Sequence, residues 1–502
     1  VYEASGLSSI LQAGLRQRPD EAAIIFEGRG YSYAELERRV SALAARFARS
    51  GLAGERIGLI LPNGAALVCC YLACFRAGAV AVPVSPSYAA PERLRALGMA
   101  APAWIIAGAP QSELLDGAGD TAASLRQAVF AEAQDGLFAP AGQGDGTFQE
   151  YAQPPGQPAL IFFTSGSTGA PKGVLHTRQS AFAILTSTVE ALGGASARDV
   201  ILVCEPQVHP SGFIATFSVL LSGGTAVLLD GFDEAQYITA LRTHRPSLIV
   251  THIDILMKLL HAPGIRAEDF AGLRGVYTGG DAVPLTLQRE FREFTGLPIQ
   301  IGWGMTEAIW LTVCREGERE KPGCIGRPLT GVELRVAGEN GKVLPPGEDG
   351  EFWVKGPMVM REYWRGPDAT ARAFAEGWFR TGDRGHRGED GRYWFVSRIK
   401  DIIVRNTAKL TPGEVEAALS LHPGVRAAAV VGVPDAKEGE VPAAFVVPEP
   451  GRSLTGEKLS GFLQTHIASY KIPATYHFIP ALPLTQSGKI DRNALQIMAS
   501  KA

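Results

Sequence analysis

The sequence predicts an α/β fold. A large N-terminal region of helix-covered, mostly parallel sheets carries a β-rich subdomain, and a small α+β region follows at the C-terminus. Three observations lead there. Apolar runs of strand length alternate with helical stretches from residue 57 to 301, a pattern that specifies parallel strands joined by helices. Between about 325 and 395 the texture changes to short strands separated by Gly/Pro turns. It changes again near Arg398-Ile-Lys-Asp401, after which helix and strand alternate on a smaller scale. At 502 residues the chain exceeds one ordinary domain, and the expected division is 1–397 and 398–502.

The elements follow in order. Ser32 and Glu35 form a capping-box pattern, and Leu36, Val40, Leu43 and Phe47 recur behind it at helical spacing. Ile57–Leu61, a Pro62-Asn63-Gly64 turn, a helix through Cys74 and Ala79–Val84 make a βαβ unit. The stretch from about Gly117 to Pro158 is polar and weakly periodic, a long connection with at most one helix. Strands are then expected at 159–163, 200–203, 225–229, 247–250, 275–277 and 298–301, with helices near 212–221, 233–243, 253–261 and 284–294. Gly350–Lys355 and Gly391–Phe395 are strands of the β-rich stretch. The last hundred or so residues read helix 413–421, strands 427–433 and 443–448, helix 456–468 and strand 475–479.

Bulk properties exclude several classes. A hydrophobic fraction of 46% and a charged fraction of 20% describe an ordinary globular protein. The net charge of −3 comes from signs mixed along the chain, so nothing speaks for nucleic acid or an anionic membrane. No apolar stretch is long enough for an integral membrane segment. Cys69, Cys70, Cys74, Cys204, Cys314 and Cys324 show neither a C-x-x-C pair nor a zinc spacing. Reduced thiols in a cytoplasmic protein are the expectation.

One loop stands out. Thr164-Ser-Gly-Ser-Thr-Gly-Ala-Pro-Lys-Gly173 follows the apolar run Ala159–Phe163. Glycines admit close backbone approach, hydroxyls and N–H groups donate to phosphate oxygens, and Lys172 supplies charge. The Walker A spacing is absent, and a flexible Ser/Gly/Thr surface loop is the alternative reading. Ligands of parallel sheets bind beyond the C-terminal strand ends. Pro206–Gly212, Thr278–Asp281 and Gly302–Glu307 stand at such ends, facing the same crevice.

The chain resembles the adenylate-forming superfamily of acyl-CoA synthetases, adenylation domains and luciferases. The resemblance rests on Thr164–Gly173, Gly302–Glu307, Thr381-Gly382-Asp383, the Arg398/Asp401 segment and Pro483–Arg492, five motifs in register over nearly the whole length. It implies ATP-dependent joining of a small-molecule carboxylic acid to AMP with magnesium, release of pyrophosphate, and transfer of the acyl group to the thiol of coenzyme A. An acyl carrier protein is the alternative acceptor, and stopping at acyl-AMP is a further alternative. A nucleotide-binding scaffold without turnover conflicts with the intact Lys172, Glu307, Asp383 and Lys489.

The resemblance also implies residue roles. Thr164, Ser165, Gly166, Ser167, Thr168, Gly169 and Lys172 would grip phosphates, and Gly280, Asp281, Gly302, Gly304 and Met305 would line the nucleotide site. Thr306 would meet the α-phosphate. Glu307 would hold magnesium, or else act as a helix-start carboxylate. Trp303, where the family usually has tyrosine, would stack on adenine, or else be a core aromatic. Asp383 would hold the ribose hydroxyls and Arg398 the ribose or phosphate; a turn aspartate is the other reading of Asp383. Lys489 would bridge carboxylate and α-phosphate from a mobile C-terminal lid hinged at Lys400. By composition alone Lys489 is an exposed lysine. His209 would gate the acyl site and the thiol's approach, or be structural. Phe213, Gly279, Ile309 and Trp310 would line a pocket suited to a fatty or aromatic acid. No aspartate stands in 207–213 to hold an α-ammonium. Asn406 and Thr407 stand on the thiol channel where relatives commonly carry glycine, a departure that would narrow the channel or redirect the backbone.

Overall fold

The computed structural model describes residues 6–108, 127–130, 154–164, 172–280, 283–315, 323–406, 408–435, 437–485 and 489–501. Of the expected site residues, Ser165, Gly166, Ser167, Thr168, Gly169, Asp281 and Thr407 lie outside this set.

Three sheets organise the described residues. In the largest, Ala22–Phe26, Thr225–Leu228, Val200–Val203, Leu248–Val250, Gly275–Gly279 and Ile299–Met305 run parallel in that spatial order. The largely buried runs of Val200–Val203, Thr225–Leu228 and Leu248–Val250 suit a sheet covered on both faces. The β-rich subdomain is not a sheet of its own. Ala308–Cys314 and Cys324–Pro328 pair antiparallel and carry the same sheet on into Tyr393–Arg398, Trp378–Arg387, Gly350–Lys355 and Glu333–Ala337. The change of texture in the sequence marks the switch from parallel to antiparallel pairing, not a break between units.

The second sheet holds the βαβ unit, with Arg56–Ile60 parallel to Val80–Pro83 across the helix Ala65–Ala77. Toward one edge it holds the antiparallel pair Pro158–Thr164 and Lys172–Thr177, which places Thr164 opposite Lys172, with Glu362–Tyr363 as the edge strand. Half of the expected capping box forms: Ser32 Oγ accepts from Glu35 N at 3.1 Å, while the Glu35 carboxylate turns to Arg29 and Arg39. The third sheet is small. Val425–Asp435 and Gly439–Pro448 pair antiparallel, Thr475–Phe478 joins parallel, and the hairpin of Ile403–Arg405 with Ala408–Leu410 lies at the edge. Its hydrophobic core is separate from those of the two larger sheets. The helix Arg492–Ser500, which periodicity did not predict, closes the chain.

The expected loop 302–307 is mostly strand. Ile299–Met305 runs through it, and only Thr306 and Glu307 turn before Ala308–Cys314 returns. The two glycines explain the run. A Cβ on Gly302 would collide with the Trp310 indole, and one on Gly304 with the Trp310 backbone. Trp310 itself sits at φ 50°, a rare conformation for a bulky residue.

Candidate active site

His209 is positioned by a buried polar lattice. Asn63 Nδ2 donates to the carbonyls of Glu205 and Leu229, and Asn63 Oδ1 accepts from Gln207 N at 2.7 Å. Gln207 is tied further to Gly64 N and Thr216 Oγ1, and its carbonyl accepts from Tyr71 OH at 2.9 Å. A Cβ on Gly212 would strike the Pro206 carbonyl. His209 thus becomes the residue before the helix Pro210–Leu221, with extended backbone. Burial pushes its imidazole down to about 4, although the Glu205 charge acts the other way, so the ring is neutral at pH 7.

Two strands along, Gly279 packs where a Cβ would meet the Gly302 carbonyl, and Gly280 turns at φ 90°. Lys489 reaches this point from the far end of the chain. Its backbone is held in a short hairpin: Thr485 N donates to Lys489 O at 2.7 Å, and Asp491 N to Pro483 O at 2.8 Å. A Cβ placed on Gly280 would lie 3.1 Å from Lys489 Cε. The Lys489 charge is felt by His209, His252 and Asp383.

Asp383 lies in the strand Trp378–Arg387, not in a turn, and is 5% exposed. Trp303 Nε1 donates to its Oδ2 at 2.9 Å, and Arg398 Nε stands 3.6 Å from Oδ1. Burial raises the proton affinity of this carboxyl, against the pull of Arg398, Trp303 and Lys489. Trp303 therefore differs from the expectation. Its indole is 7% exposed and packs edge-on against Phe352, so it is a core aromatic that supports Asp383 through its N–H. Phe213 differs too: it is fully buried among Tyr71, Phe75, Phe162 and Phe217 and is core, not pocket wall. Ile309 and Trp310 are buried in the same hydrophobic core.

Glu307 occupies the hairpin turn and starts no helix. Tyr363 OH donates to its Oε1 at 2.7 Å, and Met360 N to its carbonyl at 2.7 Å. Burial, then the Glu307 charge, hold the Tyr363 phenol well above its usual range, so it stays a donor. Lys172 Nζ lies 4.8 Å from the centre of the Tyr363 ring, which brings Lys172 and Glu307 to one tyrosine, the ammonium at its ring and the carboxylate at its hydroxyl. Thr306 O accepts from His176 Nε2 at 2.8 Å. His176 is fully buried, and that burial pushes it down to about 4. Met305 is half-buried at the strand end.

Sequence reading missed Tyr363, His176, Asn63, Glu205 and His252. Each works through a partner distant in the chain, and none sits in a motif whose chemistry is visible locally. Lys400 lies in the single helical turn Ile399–Asp401, where burial lowers its proton affinity. Asn406 takes φ 55°, the left-handed conformation in which glycine is favoured and asparagine tolerated. The expected detour of the backbone is therefore absent at Asn406. Its N–H donates to Glu438 O at 2.6 Å, and Arg405 pairs with the Glu438 carboxylate. Together with Ala408, Ser469 and Tyr470 these residues line a cavity of about 320 Å³.

Comparison with known proteins identifies the family and the fold. Residues 11–364 match the model of the AMP-binding enzyme family, and 414–489 that of the AMP-binding enzyme C-terminal domain. A feruloyl-CoA synthase of Amycolatopsis sp is 35% identical, with 97% of each chain covered. An indoleacetate–CoA ligase of Aromatoleum aromaticum is 33% identical, again with 97% of each chain covered. ATP-bound MatB from Rhodopseudomonas palustris superposes with a TM-score of 0.90 at 27% identity, covering 98% of this chain and 99% of that one. Among the described residues no helix is long and apolar enough to cross a membrane. The chain belongs to the AMP-binding enzymes, the adenylate-forming superfamily.

Proposed function

We propose that this protein activates a hydrophobic monocarboxylic acid, aromatic or fatty, as its acyl-AMP and passes the acyl group to coenzyme A. In the first step a carboxylate oxygen bonds to the α-phosphorus of ATP while the bond to pyrophosphate breaks. In the second a thiol sulfur attacks the acyl carbon, AMP leaves, and the thiol proton is released. The observation that carries the reading is Lys489, brought from the C-terminal part of the chain to Gly280 at the strand ends. An ammonium there would offset the repulsion between two anions, the carboxylate and the triphosphate.

The remaining roles are part of the proposal. Thr164, Lys172 and the hydroxyls between them take the phosphates, Thr306 the α-phosphate, and Asp383 with Arg398 the ribose. The residues fit a magnesium ion arriving with ATP: Glu307 is a single carboxylate with one oxygen steadied by Tyr363, and nucleotide-bound Mg²⁺ takes one or two carboxylates plus phosphate oxygens. When bound, the ion would neutralise phosphate charge. The division after residue 397 makes the small third sheet and its helices the lid, with Lys400 at the hinge. Asn406, in a glycine-like conformation, gives no reason to prefer a carrier-protein thiol over coenzyme A. A cytoplasmic setting suits the six buried thiols.

The test is acid-dependent return of labelled pyrophosphate to ATP across a panel of aromatic and fatty acids, followed by thioester formation with coenzyme A and with a phosphopantetheine carrier. Exchange with at least one acid, and thioester with coenzyme A, is expected. No exchange with any acid overturns the activation chemistry. Thioester with the carrier alone overturns the acceptor.

A further inference from the structure

Two histidines stand at the C-terminal ends of neighbouring parallel strands. His209 follows Val200–Val203 and precedes the helix Pro210–Leu221; His252 follows Leu248–Val250 and precedes Ile253–Leu260. Between them lies Glu205, 1% exposed. A carboxylate so far from water is costly unless its oxygens are bonded. Here they are: Oε1 accepts from Thr251 Oγ1 at 2.9 Å and from His252 N at 3.0 Å, and Oε2 lies 3.0 Å from His252 Nδ1.

This arrangement fixes one ring. The Nδ1 proton faces Glu205, so the carboxylate sets the rotation of the imidazole, and the second proton of the charged ring is carried on Nε2. Nε2 has no protein partner among the described residues. The His252 side chain keeps 18% of its surface against 2% for Glu205, so the pair is buried at the acid and open at the imidazole. Burial works against a proton on His252, but the hydrogen bond and charge of Glu205 outweigh it, and its proton affinity is raised. His209, without such a bond, is neutral. His209 feels the charge of His252, and both feel Lys489. His252 therefore borders the crevice that Lys489 enters. Packing alone does not call for an ion pair at this depth, since apolar side chains of similar volume would serve as well.

We propose that Glu205 and His252 form a specificity pair. His252, aimed by Glu205, donates in its protonated form from Nε2 to an oxygen acceptor that the acid carries away from its reacting carboxylate. The substrate class is then an oxygenated acid, with a hydroxyl, alkoxy or keto group on its ring or chain, in preference to the plain hydrocarbon acid. This inference rests on the activation chemistry proposed above.

The experiment measures acid-dependent pyrophosphate exchange on matched pairs: cinnamic acids with and without ring hydroxyl or methoxy groups, and fatty acids with and without a chain hydroxyl. The wild-type protein prefers the oxygenated member of at least one pair. His252→Leu lowers that preference in kcat/KM by about 10- to 100-fold, the worth of a hydrogen bond from a charged donor. It acts through KM for the oxygenated acid and leaves the hydrocarbon acid within about threefold, since no bond to it is lost. His252→Gln, which keeps a donor, restores part of the preference. Glu205→Gln, which keeps the shape but loses the charge that orients the ring, falls between. Its folding is checked by its melting temperature, and His252→Leu decides the matter if Glu205→Gln is unstable. Equal preference in wild type and His252→Leu, or no preference in the wild type, overturns the pair while leaving the activation chemistry intact. Absence of exchange with every acid overturns both.

Discussion

Lys489 lies over Gly280: its Cε sits 3.1 Å from where a Cβ on that glycine would stand. The lysine belongs to a hairpin in the C-terminal part of the chain, and the glycine directly follows a strand of the largest sheet. Nothing local in either segment demands the meeting. A glycine at φ 90° both makes the turn and leaves room for the lysine stem, so two different constraints select the same small residue.

Removing the ammonium tests its function. Lys489→Ala is expected to slow pyrophosphate exchange by about 100- to 1,000-fold, the range for losing one preorganised charge at a transition state. ATP affinity, measured by calorimetry, changes little. Exchange at the parent rate would remove the proposed role of the lid. Gly280→Ala should also slow exchange, because alanine is strained at this φ by about 1–2 kcal/mol and its methyl group presses on Lys489.

Asp383 carries a pH signature. Its carboxyl is raised above the usual aspartate value, mainly by burial. The folded state therefore binds its proton more tightly than the unfolded state. That contribution to stability is present below the unfolded value of 3.8 and is lost as pH rises through the folded value. Asp383→Asn should accordingly melt higher than the parent at neutral pH, with the gain shrinking on acidification, while its KM for ATP rises. A melting temperature lowered equally at all pH values would contradict the assignment.

Asn406 can be separated into backbone and channel effects. Asn406→Gly should leave stability within about 0.5 kcal/mol, since glycine adopts φ 55° freely. Asn406→Ala should lose about 1 kcal/mol through left-handed strain, read as a lower denaturant midpoint. Any change in the thioester step that is shared by both variants then reports the lost side chain and not the turn.

Tyr363→Phe deletes the hydrogen bond to Glu307 without changing ring volume. A bond to a charged acceptor contributes about 1.5–3 kcal/mol, so adenylation should fall by about tenfold or more. If Glu307 holds magnesium, the variant should also need a higher Mg²⁺ concentration for half-maximal exchange. An unshifted magnesium curve would detach Tyr363 from the metal.

Much of this site was legible in the residues. The alternation of apolar runs located the parallel strands from 200 to 277 within a residue or two, because burial on both faces leaves an unbroken hydrophobic signature; the last one, expected at 298–301, runs on to Met305. The Thr306–Glu307 turn, Thr164 opposite Lys172, and Asp383 beside Arg398 all lie inside recognisable motifs. Elsewhere the same signature misled. Phe213 looks identical as pocket wall and as core, because periodicity reports that a side chain is buried and not what it is buried against. The N–H of Trp303 reaches Asp383, 80 residues away, a contact that no local spacing announces.

The sequence alone thus determined the α/β layering, the texture change that marks antiparallel pairing, and the chemistry available at the motifs, since these depend on local spacing and side-chain type. Tertiary structure alone decided that the β-rich strands extend the main sheet, that Glu205 orients His252, and that Lys489 meets Gly280. Each of these is a pairing across long stretches of chain. The free energy of such a pairing comes from desolvation and geometry at the point of contact, which no stretch of sequence carries by itself.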